Sequence, residues 1–184
     1  MLIVAVTGMP GAGKSTATKG LVANGWKKVV MGDVIRDETR SRGLEPDSKN
    51  TGEVMKQLRK EKGDSAVADL CMKAILKTGS DTVVVDGIRS MAEVESFRKK
   101  AALILVAVHA SPGRRFALLK ERGRRDDPIS NEMFLTRDER ELGVGIGNAI
   151  ALADEMISNE RTTPVALSAQ MVEIVERWAK KVDA

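Results

Sequence analysis

The residues best suited to chemistry lie close to the start of the chain. Gly8-Met9-Pro10-Gly11-Ala12-Gly13-Lys14-Ser15 fits the pattern G-x-x-x-x-G-K-[ST] in full. Glycines in such a loop let successive backbone N–H groups turn inward around phosphate oxygens. The loop follows an apolar run, Leu2-Ile3-Val4-Ala5-Val6, and precedes a helical pattern, so the positive end of a helix would face the same anion. Lys14 would reach the β- and γ-phosphates of a triphosphate, and the Ser15 hydroxyl would ligate Mg²⁺ directly. Residues 8–16 are therefore the expected nucleotide-binding segment, with Thr16 either at its end or on the helix surface. ATP and Mg²⁺ are the expected ligands.

A phosphate loop does not separate a kinase from a motor, a GTPase or a switch. Three further clusters bear on that choice. Asp33 and Arg36 in Gly32-Asp33-Val34-Ile35-Arg36 lie three apart, on one face of a helical turn. Asp33 can orient magnesium-bound water and Arg36 can fork onto the phosphate of a second substrate; equally, Asp33 can cap a helix that carries Arg36 as a surface cation. Asp86-Gly87-Ile88-Arg89 directly follows Val83-Val84-Val85. A carboxylate ending a buried strand holds metal-bound water opposite the phosphate loop, while an Asp-Gly pair can also be a simple turn. Arg89 would project at the same sheet edge. Arg122-Gly123-Arg124-Arg125-Asp126-Asp127-Pro128 gathers like charges that need anions to neutralise them. Its glycine and proline suit a hinged lid, and Arg137 and Arg140 follow on a helix. The plain alternative is a solvated charge run.

The elements that must position these groups read as alternating short apolar runs and helical patterns, the signature of a parallel sheet with crossover helices. Beyond the first run, Val83-Val84-Val85 and Leu103-Ile104-Leu105-Val106-Ala107-Val108 are strands. Lys28-Val29-Val30-Met31 and Glu155-Met156-Ile157-Ser158 are weaker candidates. Uninterrupted β-branched runs suit strands covered on both faces. Helices are expected over residues 14–24, 52–62, 64–77, 90–100, 114–122, 131–142 and 165–180, with Ser90 and Glu93 forming a capping box. The result is an α/β fold of about five parallel strands and seven helices. It is read as one kinase-like domain over residues 1–184, with an acceptor-binding helical flap at about 33–79 and a short lid at about 122–140.

Composition narrows the class. Hydrophobic residues make up 42% and charged residues 30%, the balance of a globular chain. No apolar run approaches the roughly 20 residues of a bilayer span. The opening residues lack a charged lead and cleavage site, and with one cysteine there is no disulfide framework, so a cytoplasmic location is expected. Cys71 lies among Leu70, Met72, Ile75 and Leu76 and reads as helix packing. The net charge of +4 is dispersed, and aromatics are only 3% with no Tyr, which leaves few stacking platforms for bases. A small anionic partner is preferred to nucleic acid or membrane; monomer and homodimer both stay open.

Together these clusters resemble the nucleoside-monophosphate kinase group of P-loop proteins over most of the chain. Gly32-Asp33-x-x-Arg36 is similar to the G-D-x-x-R of adenylate kinases, whose arginine holds the AMP phosphate. Asp86-Gly87-Ile88-Arg89 resembles their D-G-[FY]-P-R with one residue fewer, and Arg124-Arg125-Asp126-Asp127 their lid R-x-D-D, followed by a helix arginine at Arg137. Ala153-Asp154-Glu155-Met156-Ile157-Ser158-Asn159 resembles instead the A-D-x-x-I-x-N of dephospho-coenzyme A kinases. The full length resembles an archaeal adenylate-kinase-related, dephospho-coenzyme A kinase-like family. The short lid lacks metal cysteines, which favours a related activity over adenylate kinase proper. Gly143-Val144-Gly145-Ile146-Gly147 matches neither motif set and reads as a flexible connection or a close helix crossing. His109 reads as a core or edge residue, since phosphate nucleophiles need no base.

The expected activity is Mg²⁺-dependent transfer of the ATP γ-phosphoryl to a nucleotide or nucleotide-like acceptor. Lys14 and the loop amides hold the donor, and Ser15 holds Mg²⁺, with Asp33 and Asp86 acting through water. Arg36 and Arg89 hold the acceptor. Arg122, Arg124 and Arg137 close on the transferring phosphoryl and exclude water. The alternative is a nucleotide-binding regulatory ATPase or switch without a small-molecule acceptor. An RNA-linked ATPase is a third reading, resting on the positive charge alone.

Overall fold

The computed structural model describes residues 1–123 and 127–182. Each expected apolar run forms a strand: β1 (Leu2–Thr7), β2 (Lys27–Val30), β3 (Thr82–Ile88), β4 (Ala102–His109) and β5 (Glu155–Ser158). All pairings are parallel, in the order β2-β3-β1-β4-β5. Parallel neighbours need crossover connections, which helices supply on both faces. On one face lie α1 (Lys14–Ala17), α2 (Lys19–Ala23) and α10 (Pro164–Val182). On the other lie α3 (Met31–Ser41), α4 (Ser48–Lys62), α5 (Ala66–Lys77), α6 (Met91–Arg98) and α9 (Ile146–Ala151). The period of two along each strand sorts the core accordingly. Ile3, Ala5, Val83, Val85 and Leu105 face the α5 side, while Val4, Val6, Val84, Ile104, Val106 and Val108 face α1 and α10. Full burial of each Val or Leu contributes roughly 1.5–3 kcal/mol, which is why both faces stay apolar.

Two further helices, α7 (Pro112–Arg122) and α8 (Asn131–Val144), follow β4 and pack together through Phe116 and Phe134, whose ring centroids are 5.2 Å apart. β1 sits mid-sheet with strands added on both sides, so the loops leaving the C-terminal strand ends diverge there and open a crevice. Among the described residues no helix is long and apolar enough to cross a membrane.

Ten helices appear among the described residues instead of seven, for three local reasons. The helix expected over residues 14–24 is interrupted at Thr18. α3 was not expected beyond a turn: it starts directly from β2 with Val30 as an N-cap that offers no side-chain bond, so no polar residue announces it. α9 occupies part of the glycine-alternating stretch, where Gly145 (φ 106°) closes α8 and opens α9 in one left-handed residue. The Ser90–Glu93 capping box forms as expected, and Cys71 is buried in α5, its thiol pushed up to about 12 by burial and the Glu93 charge.

Candidate functional site

β1 delivers the glycine loop to the crevice, and the loop is pressed from three directions. A Cβ at Gly8 would lie 2.2 Å from the Val108 carbonyl oxygen, one at Gly11 2.7 Å from that of Arg115, and one at Gly13 2.4 Å from Asn159 Nδ2. Gly11 (φ 81°) and Gly13 (φ 99°) also take left-handed backbone. No other residue type fits. Asn159, buried just past β5, donates from Nδ2 to the Ala12 carbonyl at 3.0 Å and from its backbone to the His109 carbonyl at 2.7 Å. His109 itself is an exposed residue at the end of β4, as expected for an edge histidine.

Arg115 is the loop's strongest tether. It is 3% exposed, donates to the Ala110 and Pro10 carbonyls at 3.2 Å each, and forks onto Asp138 of α8 at 2.8 and 2.5 Å. Its guanidinium lies 4.8 Å from the Phe134 ring centroid. One buried cation thus joins the phosphate loop, α7 and α8.

At the centre, Lys14 Nζ donates to the Gly8 carbonyl at 2.6 Å and the Met9 carbonyl at 3.3 Å. Burial pulls its pKa from the ordinary 10.5 to about 8, against the Asp86 charge, with Arg89 lowering it, Glu141 raising it and Arg137 lowering it again. Those charges reach this site from the end of β3 and from α8. Asp86, 4% exposed, ends the regular part of β3, where the pairing with β1 slips past Gly87 (φ 106°). Its Oδ2 accepts from Ser15 Oγ at 3.2 Å and lies 2.8 Å from Lys28 Nζ.

The remaining cations each meet a carboxylate of the chain. Arg89 Nε is 2.8 Å from Glu141 Oε2, and its Nη1 approaches Met55 Sδ of α4 at 3.5 Å. Arg140 lies 3.6 Å from Glu141, which is 6% exposed. Arg137 is 3.5 Å from Asp127, to which Arg122 also pairs. Asp33 and Arg36 pair with each other on the exposed flank of α3, the helix that leaves β2 just after Val30, the residue opposite Asp86. Thr16 is half-buried in the first turn of α1. Arg124 lies outside the described residues, as do Arg125 and Asp126.

The structure therefore brings together Lys14, Ser15, Asp86, Arg89 and Arg137, keeps Asp33 with Arg36, and keeps Arg122 with Asp127. Sequence reasoning missed Lys28, Arg115, Asp138 and Glu141. Arg115 left a signal, since it is four residues before the buried Leu119 and so falls on the inward stripe of α7. For Lys28 the signal was strand alternation: of Lys27 and Lys28, one had to face a covered side of the sheet.

Oxygen donors at one end of the loop suit a hard cation. Ser15 and Asp86 already share a hydrogen bond, which suits a Mg²⁺ held directly by the Ser15 hydroxyl and through a water by Asp86, with waters and phosphate oxygens completing its shell. Among the described residues no group of three or more His, Cys, Asp or Glu could hold a metal ion.

Comparison with known proteins agrees with this geometry. A family model described as AAA domain matches residues 7–134. The UPF0200 protein of Methanocaldococcus jannaschii is 49% identical over 164 residues, covering 88% of this chain and 83% of that one. That of Methanosarcina barkeri is 43% identical over 183 residues, covering 98% of both. Among solved structures, TT1252 from Thermus thermophilus superposes with a TM-score of 0.68 at 16% identity, covering 96% of each chain. A shikimate kinase from Acinetobacter baumannii, in complex with shikimate, gives 0.58 at 14% identity, covering 96% of this chain and 93% of that one. These likenesses establish the fold of P-loop kinases. The chain belongs to the AAA-domain family of P-loop proteins and, at the level of its near relatives, to the UPF0200 proteins.

Proposed function

We propose that this chain transfers the γ-phosphoryl of ATP, in the presence of Mg²⁺, to a small nucleotide or nucleotide-like acceptor. One observation carries the reading: Ser15 and Asp86 meet at the end of the glycine loop, while Arg89, just past β3, and Arg137, on α8, come from separate segments and lie within electrostatic reach of Lys14. A pocket that only gripped a nucleotide would need one set of cations; a second set suits a second anionic group and the phosphoryl moving between the two. Bound Mg²⁺ would neutralise charge on the β- and γ-oxygens. The loop amides and Lys14 bind the donor, Ser15 and Asp86 form the metal end, and Asp33 orients metal-bound water. Arg36 and Arg89 hold the acceptor; Arg122, Arg124 and Arg137 close from the lid and exclude water.

Residues 33–79, containing most of α3 with α4 and α5, form the acceptor side in this reading, and residues 122–140 the lid. The described arginines of this set rest on carboxylates of the chain: Arg36 on Asp33, Arg89 on Glu141, Arg122 and Arg137 on Asp127. Substrate phosphates would replace those partners, which keeps the site ordered before binding. Resemblance to nucleoside-monophosphate kinases at Arg36 and to dephospho-coenzyme A kinases at Asn159 supports an acceptor of that type.

The test is incubation with ATP, Mg²⁺ and a panel of nucleoside monophosphates, dephospho-coenzyme A and, as a non-nucleotide control, shikimate. Acceptor-dependent ADP release with a matching phosphorylated product is the expected result. Arg36→Ala and Arg89→Ala should each lower acceptor use while leaving ATP affinity nearly intact. Slow hydrolysis indifferent to every acceptor would replace this reading with a nucleotide-binding switch.

A further inference from the structure

We propose that Lys28 is the specificity-determining residue at the metal end of the site, holding Asp86 so that a divalent cation enters together with the triphosphate and not ahead of it. The proposal rests on the reading of Ser15 and Asp86 as the metal end. Lys28 lies on β2 opposite Val84, two positions short of the level where Val30 faces Asp86. Its stem therefore runs forward beneath α1 to bring Nζ within 2.8 Å of Asp86 Oδ2, the oxygen that also accepts from Ser15 Oγ. The side chain is only 21% exposed, whereas its neighbour Lys27 is exposed. The ammonium is thus directed inward.

The charge logic follows from position. A carboxylate this deeply buried needs a counter-charge, and Lys28 supplies it. A dication approaching the same oxygen meets a like charge across a few ångströms of weakly screened space. Oδ2 is also already occupied by two donors, so the free protein presents a filled position. A triphosphate reverses the balance: its oxygens add several negative charges and supply most of the ligands that Mg²⁺ requires. Lys28 then has somewhere to go. It already donates to the buried Thr18 hydroxyl at 2.9 Å, and that hydroxyl spends its own proton on the Ser15 carbonyl at 3.3 Å. The ammonium can keep this acceptor while releasing the carboxylate.

Binding of Mn²⁺, followed by loss of the free-ion electron paramagnetic resonance signal with Mg²⁺ as competitor, tests the proposal without recourse to activity. Wild type without nucleotide should leave the signal unchanged; with ADP or ATP, one Mn²⁺ per chain should be lost beyond the loss the same nucleotide causes in the absence of protein. Lys28→Met should bind one Mn²⁺ unaided, at least roughly tenfold tighter than wild type, and Asp86→Asn added to Lys28→Met should abolish that binding. Should Lys28→Met fold poorly, the same logic requires Mg²⁺ to restore its cooperative melting while leaving the wild-type melting temperature unmoved. Mn²⁺ uptake by nucleotide-free wild type that disappears in Asp86→Asn would overturn the role of Lys28 and keep Asp86 as a metal residue. Uptake by Lys28→Met that survives Asp86→Asn would overturn both.

Discussion

Lys14 should take up a proton when nucleotide binds. In the free protein burial holds its pKa at about 8, and triphosphate oxygens placed against the ammonium would return it to or above its ordinary 10.5. With those limits, binding draws about 0.1 proton at pH 7, about 0.5 at pH 8 and about 0.9 at pH 9. Affinity should fall roughly tenfold between pH 7 and pH 9, because the protein must first be protonated. Titration calorimetry with a non-hydrolysable Mg·ATP analogue, repeated in two buffers of different ionisation enthalpy, reads the proton count directly. Lys14→Arg, whose guanidinium stays charged throughout, should show none. The same depressed pKa has a consequence for stability. Below about pH 8 the fold carries a charged ammonium it disfavours, and that cost fades as pH climbs from about 8 to 10.5, so Lys14 contributes rising stability across this window. A flat proton count from pH 7 to 9, or an equal count in Lys14→Arg, would refute the assignment of Lys14 as the half-buried, titrating contact of the phosphate loop.

Three further outcomes follow from the site's supports. Arg115→Met should destabilise the protein by roughly 3–5 kcal/mol in chemical denaturation, because Asp138 loses its buried partner and the Pro10 and Ala110 carbonyls lose their donor. Asn159→Ala should cost about 1–3 kcal/mol by orphaning the Ala12 carbonyl, and should weaken nucleotide binding in the same titration, since the loop loses its fixed shape. Cys71 should resist thiol reagents in the native state and react only as the chain unfolds, with a rate set by opening, because its side chain is inaccessible and its thiol is pushed up to about 12.

The three inner strands, β1, β3 and β4, were readable because each is a short apolar run rich in β-branched residues and covered on both faces, whereas β2 and β5, partly exposed at the sheet margins, left weaker signals. The phosphate loop was readable because its mechanism demands particular residue types at fixed offsets. The supports were hidden for the opposite reason: their partners are remote in sequence. Arg115 reaches Pro10 across 105 positions and Asp138 across 23; its place on the inward stripe of α7 marks it as buried, but nothing local names the loop or α8 as its partners. Glu141 looked like one acid in a charged helix, and only the return of α8 toward β3 sets it against Arg89. α3 escaped notice beyond a turn because helix and strand meet without punctuation; the spacing of Asp33 and Arg36 put them on one face of a helical turn, and the ion pair between them is what the structure adds.

The sheet order has a mechanical corollary. β1, which launches the phosphate loop, is flanked by β3 and β4, whereas β2 and β5 each have an open edge. Yet two of the polar struts that steady the pocket spring from those margins, Lys28 from β2 and Asn159 just beyond β5. Marginal strands open locally at far lower free energy than central ones. Fraying at one side would therefore slacken the carboxylate, and at the other the loop, while the middle of the molecule stayed intact; amide exchange should find the pocket's weakest points at its periphery.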